Sequence, residues 1–372
     1  MSEIIRTAEA TKTPRATRRT FLAGAAGAAA LPVFSIKASA QQTLNVTIAA
    51  SHPVQNFWVA MMKNVFQPEV EKHLRDNGNQ VRVNWREAYG GTLYKFQETM
   101  EAVRDNITDI GYVGTLWEGS TMPLQNVTYF TPFSTGDHGL IARTFDQLNE
   151  SVPAIKQNWN GLNMVPLSSF ITDTYHIWST FPVRTLDDLR NRKISAPGTS
   201  ANWLTGTGVT PVDGALTTYY TDIQTGVSEG ALSFFVGILP TRVYEVAKYV
   251  TKCDVGAMYV GRIAANKQRH DRWPAAFQKA VAEAGKITTQ KHVEDVSSRI
   301  AAAEKEMVDK GSIITTLADA ERKRWITGLP NIAKTWADTS CAASRDVLRA
   351  YFASIRAAGQ TPGRDWDREA TS

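Results

Sequence analysis

Cysteine is nearly absent: Cys253 and Cys341 are the only two in 372 residues, and no C-x-x-C pair exists. That excludes a disulfide-stapled scaffold and the common zinc and redox motifs, while one bond between the two stays open in an oxidising compartment. Histidine is scarce as well. His52, His73, His138, His176, His270 and His292 stand singly, and no H-E-x-x-H occurs, so the usual metalloprotease signature is missing. Gly206-x-Gly208 lacks the third glycine of a dinucleotide fingerprint and the Lys-Ser/Thr of a phosphate loop. No metal and no cofactor are expected.

Excess positive charge is lacking where it would matter. The formal net charge is +5, but residues 1–40 hold six Lys/Arg against Glu3 and Glu9. That accounts for +4 and leaves +1 for the remaining chain, so the basic balance is no argument for a nucleic-acid partner, and none is expected. No run beyond residue 40 reaches the ~20 apolar residues needed to span a bilayer. With 43% hydrophobic and 21% charged residues, the composition is that of a globular chain long enough for two domains.

What is present begins with an address. Arg15, Arg18 and Arg19 precede Phe21-Leu22 and the small-residue run AGAAGAAALPVFSI, and Ala38-Ser39-Ala40 forms an A-x-A cleavage site before Gln41. TRRTFL resembles a twin-arginine export signal. Residues 1–40 are therefore read as a leader and the mature protein as soluble and periplasmic.

Strand and helix patterns then alternate without internal repeats. LNVTIAAS (Leu44–Ser51) is a β-branched strand, followed by a helical pattern from Pro53 to about Asn77, the strand VRVNW (Val81–Trp85), a Gly90-Gly91 turn, a helix over Leu93–Asn106 and the strand DIGYVG (Asp109–Gly114). This βαβαβ order predicts an α/β fold with a mostly parallel sheet, whose ligands collect at the carboxyl ends of the strands. A second unit begins near Val165, with strands around Ser168–Trp178, Lys193–Ala196 and Gly230–Phe235. Between Pro274 and Lys310 the chain is nearly free of breakers; as one helix it is roughly 50 Å long, longer than one domain is wide.

Several stretches together carry a resemblance: Gly91-Thr92-Leu93, Asp109-Ile110, LDDLRNRKISAPG (Leu186–Gly198), YYTDIQTGVSEGA (Tyr219–Ala231) and YEVAKYVT (Tyr244–Thr251). They resemble the DctP-type solute-binding proteins of TRAP transporters over essentially the whole mature chain. The resemblance implies a two-lobed periplasmic binding protein fold, each lobe a central sheet flanked by helices. It implies domain I at 41–165 with 253–273, domain II at 166–252 with 311–372, and 274–310 as a domain-spanning helix. It also implies a monomer that encloses one small-molecule solute by hinge closure and delivers it to TRAP membrane permease subunits, with no enzymatic activity. Service as a sensing subunit for a receptor kinase, and a periplasmic hydrolase on a similar scaffold, are the other functions left open.

One departure from the family stands out. Members usually read K-I-R-V-P where this chain reads Lys193-Ile194-Ser195-Ala196-Pro197. The resemblance implies that this arginine forks onto the solute's carboxylate, and here Ser195 replaces it. By the same register Tyr175 stands where sialic-acid binders carry a second arginine, and Ser233 where the family often has asparagine. The expected lining is Ser51, His52, Phe57, Trp58, Tyr89, Trp117, Tyr175, Trp203, Ser233 and Phe235, which suits a neutral or cationic solute because aromatic faces attract ammonium groups. Glu87 and Glu118 are candidate counter-charges, and Arg86 is a candidate carboxylate partner from the other lobe. An organic acid and an amine, amino alcohol or neutral polar compound are thus both open as ligand.

Overall fold

The computed structural model describes residues 42–371 except Gln80; the export segment expected over 1–40 lies outside them. Eleven strands form two sheets among the described residues. In chain order they are β1 (Gln42–Ala49), β2 (Val81–Ala88), β3 (Ile110–Val113), β4 (Met164–Ile171), β5 (His176–Ser179), β6 (Lys193–Ser195), β7 (Thr210–Val212), β8 (Gly230–Ser233), β9 (Tyr249–Lys252), β10 (Tyr259–Asn266) and β11 (Ile313–Thr316). The first sheet runs β2-β1-β3-β10-β4 and the second β11-β9-β5-β8-β6-β7. In the first, β1 is parallel to β2 and β3, as the alternation of crossover helices requires. β10 enters between β3 and β4 antiparallel to both. The second is likewise mixed.

The single strand expected around Ser168–Trp178 is two strands in different sheets. The segment Thr172–Tyr175 between them crosses from one lobe to the other, and Cys253–Met258 crosses back beside it. Thr172 N–H donates to Met258 O (2.9 Å), Tyr175 N–H to Gly256 O (3.0 Å) and Val255 N–H to Tyr175 O (3.1 Å). A short antiparallel ribbon therefore joins the lobes, at the place where the expected hinge would lie.

Two helices differ from the sequence pattern at their starts. The first begins at Phe57, because the Asn56 side chain accepts from Trp58 N–H and caps it. It passes through a π-helical turn, Met62–Phe66, into Gln67–Asp76. That turn lies just ahead of Pro68, which lacks an N–H for the regular ladder. The helix expected over Leu93–Asn106 is shorter: a 3₁₀ turn at Phe96–Glu98 leads into Thr99–Arg104.

The long helix is Ala275–Asp309, 35 residues, about 50 Å at 1.5 Å per residue. It packs on the first sheet so closely that a Cβ on Gly285 would lie 2.0 Å from Leu167 O, so only glycine fits. Further along, Glu304 pairs with Lys252 of β9 at 3.0 Å, which ties the same helix to the second sheet. Cys253 and Cys341 are both free thiols, Cys253 buried beside the hinge.

Candidate functional site

The loops that follow β1, β2 and β3 meet the second lobe at one place, as expected of strand carboxyl ends. They enclose two compartments with His52 and Leu216 as shared walls. The outer is a cleft of about 440 Å³, lined by Ser51, Asn56 and Lys95 from the first lobe and by Thr217, Tyr220 and Thr241 from the second. The inner cavity is about 20 Å³, lined by Trp58, Trp117, Tyr175, Tyr219, Phe234 and Ser233. That is room for one water-sized body, so any larger solute requires the lobes or side chains to give way.

The walls offer hydrogen-bond donors without partners. His52 is 1% exposed; its Nδ1 lies 2.9 Å from Ser51 Oγ, and its Nε2 is buried and unpaired. Desolvation pushes the imidazole down to about 3, so it is neutral at any ordinary pH. Trp58 meets its ring edge-on at 4.9 Å and Trp117 stacks at 6.3 Å. Both indole N–H groups are buried without a partner. Asn56 Oδ1 accepts from Trp58 N–H at 3.1 Å, which fixes the amide orientation and leaves Nδ2 buried and unpaired. Lys95 Nζ donates to Gly91 O at 2.8 Å.

The lobes also touch beside the cavity. Thr199 Oγ1 of the second lobe lies 3.2 Å from Asn126 Oδ1 and 3.4 Å from Leu116 O. A Cβ on Gly198, at φ +50°, would meet Leu116 O at 2.4 Å, so this approach too depends on glycine.

Of the expected lining residues, the fold brings Ser51, His52, Trp58, Trp117, Tyr175 and Ser233 together around the two compartments. The others lie elsewhere. Glu87 is on the exposed side of β2, paired with Lys63 at 2.6 Å, and Arg86 is exposed on the same strand. Tyr89 donates its hydroxyl to Gln67 at 2.8 Å. Glu118 is buried but does not line either compartment; desolvation, with Glu101 nearby, raises its carboxyl to about 7. Ser195 is fully buried with its Oγ 2.9 Å from Ser228 Oγ. Trp203 is a core residue: its N–H donates to Tyr129 O (2.7 Å), its ring stacks on Tyr129, and its own carbonyl accepts from Trp325. Phe57 packs on Phe234 and His292. Phe235 turns away onto Trp178 and His176, and its neighbour Phe234 faces the cavity.

Sequence reasoning missed Asn56, Lys95, Phe234 and the segment 215–220. Asn56 had a signal, a capping residue ahead of an aromatic helix start. Lys95 follows the Gly90-Gly91 turn, but nothing local says that the turn faces the other lobe. Asp173 was also missed. It sits on the hinge, fully buried, with Oδ2 accepting from Phe235 N–H at 2.9 Å and Oδ1 unpaired; desolvation raises it to about 7.

Two α/β lobes joined by crossing strands, with a donor-lined cleft at their junction, are the architecture of a two-lobed solute-binding protein. Residues 56–339 match the family described as bacterial extracellular solute-binding protein, family 7, or DctP, and the chain belongs to that family. Solved structures agree in fold. An extracytoplasmic solute receptor of Bordetella pertussis binding pyroglutamic acid is similar with a TM-score of 0.74 at 18% identity, over 83% of this chain and 99% of that one. A TRAP periplasmic solute-binding protein of Sulfitobacter sp. NAS-14.1 with bound β-D-galacturonate gives 0.70 at 18%, over 83% and 100%. An open complex of a TRAP periplasmic solute-binding protein from Desulfovibrio salexigens gives 0.70 at 21%, over 86% and 98%. No curated protein matches the chain. Among the described residues no helix is long and apolar enough to cross a membrane.

Proposed function

We propose that the chain is the solute receptor of a TRAP transporter. It captures a small organic solute between its lobes in the periplasm and hands it to the membrane permease as a monomer, after export through the twin-arginine signal at its start. In this reading the division into domain I, domain II and the spanning helix is the mechanical basis of opening and closing.

The observation that carries the reading is the pair of compartments at the lobe junction, with four buried polar groups lacking partners: His52 Nε2, Asn56 Nδ2 and the indole N–H groups of Trp58 and Trp117. Unpaired buried donors are costly, about 1–3 kcal/mol each, and a solute bearing acceptors would satisfy them. The aromatic walls suit a compact, uncharged body. No Asp or Glu side chain lines either compartment among the described residues, which argues against an amine as the solute. The absence of the forked arginine at Ser195 argues against the C4-dicarboxylates.

A thermal-shift screen over small metabolites tests this. The expected result is at least one solute that raises the melting temperature by several degrees, because a ligand at 100 times its Kd adds about 2.7 kcal/mol. Malate, succinate and fumarate should produce no shift. Catalytic turnover of the stabilising compound would overturn the receptor reading.

A further inference from the structure

A separate cavity of about 300 Å³ lies against the ribbon that joins the lobes and shares no wall residue with the two cleft compartments. Along the first crossing segment Tyr175 lines the inner cleft cavity while its neighbour Thr174 lines this one, as the alternation of an extended strand requires. The ribbon is thus a partition with a cavity on either face. Both lobes contribute to the second cavity. From the first comes the loop 133–136, which leads into the helix His138–Ser151, held on β10 by Asp146 and Arg262 at 3.1 Å. From the other side comes Arg322 on the helix Asp319–Gly328. That helix is fastened to the second lobe, where Glu321 accepts from Leu186 N–H at 2.8 Å and the Trp325 indole N–H donates to Trp203 O at 2.7 Å. Gln360 closes one side, bonded to Thr135 and to Asp137.

Two opposite charges in this wall are neutralised by nothing else. Arg322 donates Nε to Cys253 O (3.1 Å) and Nη2 to Asp254 O (3.0 Å), and its guanidinium lies 5.2 Å from the centre of the Phe133 ring. No carboxylate lies within 4.0 Å of it among the described residues. Asp254 lends Arg322 its backbone carbonyl and not its side chain, because at φ +47° the chain takes a left-handed turn there. Its carboxylate has only His176 Nδ1 nearby, at 3.9 Å. That nitrogen accepts from the N–H groups of Cys253 and Asp254 at 3.3 Å each, so it holds no proton to donate. On this basis we infer that the cavity behind the ribbon is a second ligand site for a small zwitterion of the α-amino acid class, its carboxylate on Arg322 and its ammonium on Asp254. A simple anion would meet Asp254 and a simple cation would meet Arg322, and only a molecule carrying both charges satisfies the pair. The site has a mechanical consequence that rests on the solute-receptor reading above. With the cleft on one face of the ribbon and this cavity on the other, rotation that opens the cleft brings the loop 133–136 and Arg322 together. A ligand between them resists opening, so it strengthens solute binding, and the solute strengthens its binding by the same factor.

The test uses the mature protein and calorimetry with the neutral L-α-amino acids, and with propionate and ethylammonium as the two halves of alanine. The expected result is binding of at least one amino acid, with each half-molecule weaker by roughly tenfold or more, as for loss of a charge-assisted hydrogen bond. Asp254→Asn is the clean variant, because asparagine tolerates the left-handed region. Its melting temperature should match the wild type, its amino acid affinity should fall by roughly tenfold, and propionate should then bind as well as alanine. Arg322→Gln should lose both. With the amino acid present, the solute found by the thermal-shift screen should bind several-fold more tightly. Absence of binding by every amino acid overturns the site, as does an affinity equal to wild type in both variants, which would place the amino acid in the cleft. A solute affinity indifferent to a bound amino acid overturns the coupling. None of these results touches the receptor reading, which stands or falls with the metabolite screen.

Discussion

Asp173 holds one carboxylate oxygen on Phe235 N–H and leaves the other without a partner inside the hinge. Its folded value of about 7 lies above the ordinary Asp range, as does that of Glu118. The stability linked to both is therefore fully present below about pH 4 and is lost as pH rises through 7. Three buried histidines run the other way: His52 and His176 are pushed down to about 3 and His292 to about 4, all mainly by desolvation. Their contribution is complete above about pH 6.5 and lost as pH falls toward 3–4. Asp173→Asn keeps an acceptor for Phe235 and removes the buried charge. It should be more stable than wild type at pH 8, by about 1–3 kcal/mol, and equal to it at pH 4; urea unfolding at the two values checks this. Trp203→Ala, by contrast, should cost about 3–5 kcal/mol as a core truncation and leave the solute contacts in place. Paired measurements of unfolding midpoint and Kd separate a core from a cleft role.

Among the elements, the long helix makes the sharpest structural prediction. Gly285 is an unfavourable helix residue, about 1 kcal/mol worse than Ala on propensity alone, so an isolated helix would gain from Gly285→Ala. Here the added methyl would sit 2.0 Å from Leu167 O, and relief requires the helix to lift off β4. Overpacking of this kind costs about 1–3 kcal/mol. The variant should therefore have a lower melting temperature, and a rise would mean that the helix–sheet contact is looser than described. A local motif also fixed less than it suggested at β8. The sequence places the Gly230–Phe235 segment at the ligand, but strand alternation and the start of the next helix decide that Phe234 faces the cavity and Phe235 faces Trp178.

At the scale of the whole molecule, a two-segment ribbon joins the lobes and one helix touches both sheets; the proposed function uses these as the parts about which the lobes move. The inner cavity of about 20 Å³ is too small for an organic solute, so a solute that enters it requires the lobes or side chains to give way, and the proposed function assigns that to lobe opening. Small-angle scattering with and without a stabilising solute should show a smaller radius of gyration when bound. Identical profiles at saturation would refute hinge closure while leaving binding untouched. Inserting a bulky residue at the lobe contact, Gly198→Val, should favour the open form, because its side chain has no room against Leu116 O. Solute affinity should then fall, and the unfolding midpoint should fall with it, because a β-branched residue is strained at φ +50°.

The sequence by itself determined what local patterns and a sufficiently distinctive set of motifs can determine. The β-branched run of β1, the breaker-free stretch that becomes Ala275–Asp309, and the QTGVSEG and K-I-S-A-P segments were enough for an α/β chain of two lobes and for its family. They also placed Ser51, His52, Trp58, Trp117, Tyr175 and Ser233 near one site. Tertiary structure decided the rest. Trp203 and Trp117 are both aromatic residues soon after a strand, yet one is buried in the core and the other lines the cavity. Whether a strand stays in one sheet or crosses to the other, as at 164–179, depends on hydrogen-bond partners 80 or so residues away. The same holds for Lys95 and Asn56, which belong to different loops of the first lobe and form one cleft wall only because β1 and β2 pair in parallel. Such juxtapositions are set by packing between distant segments, and no window of sequence contains them.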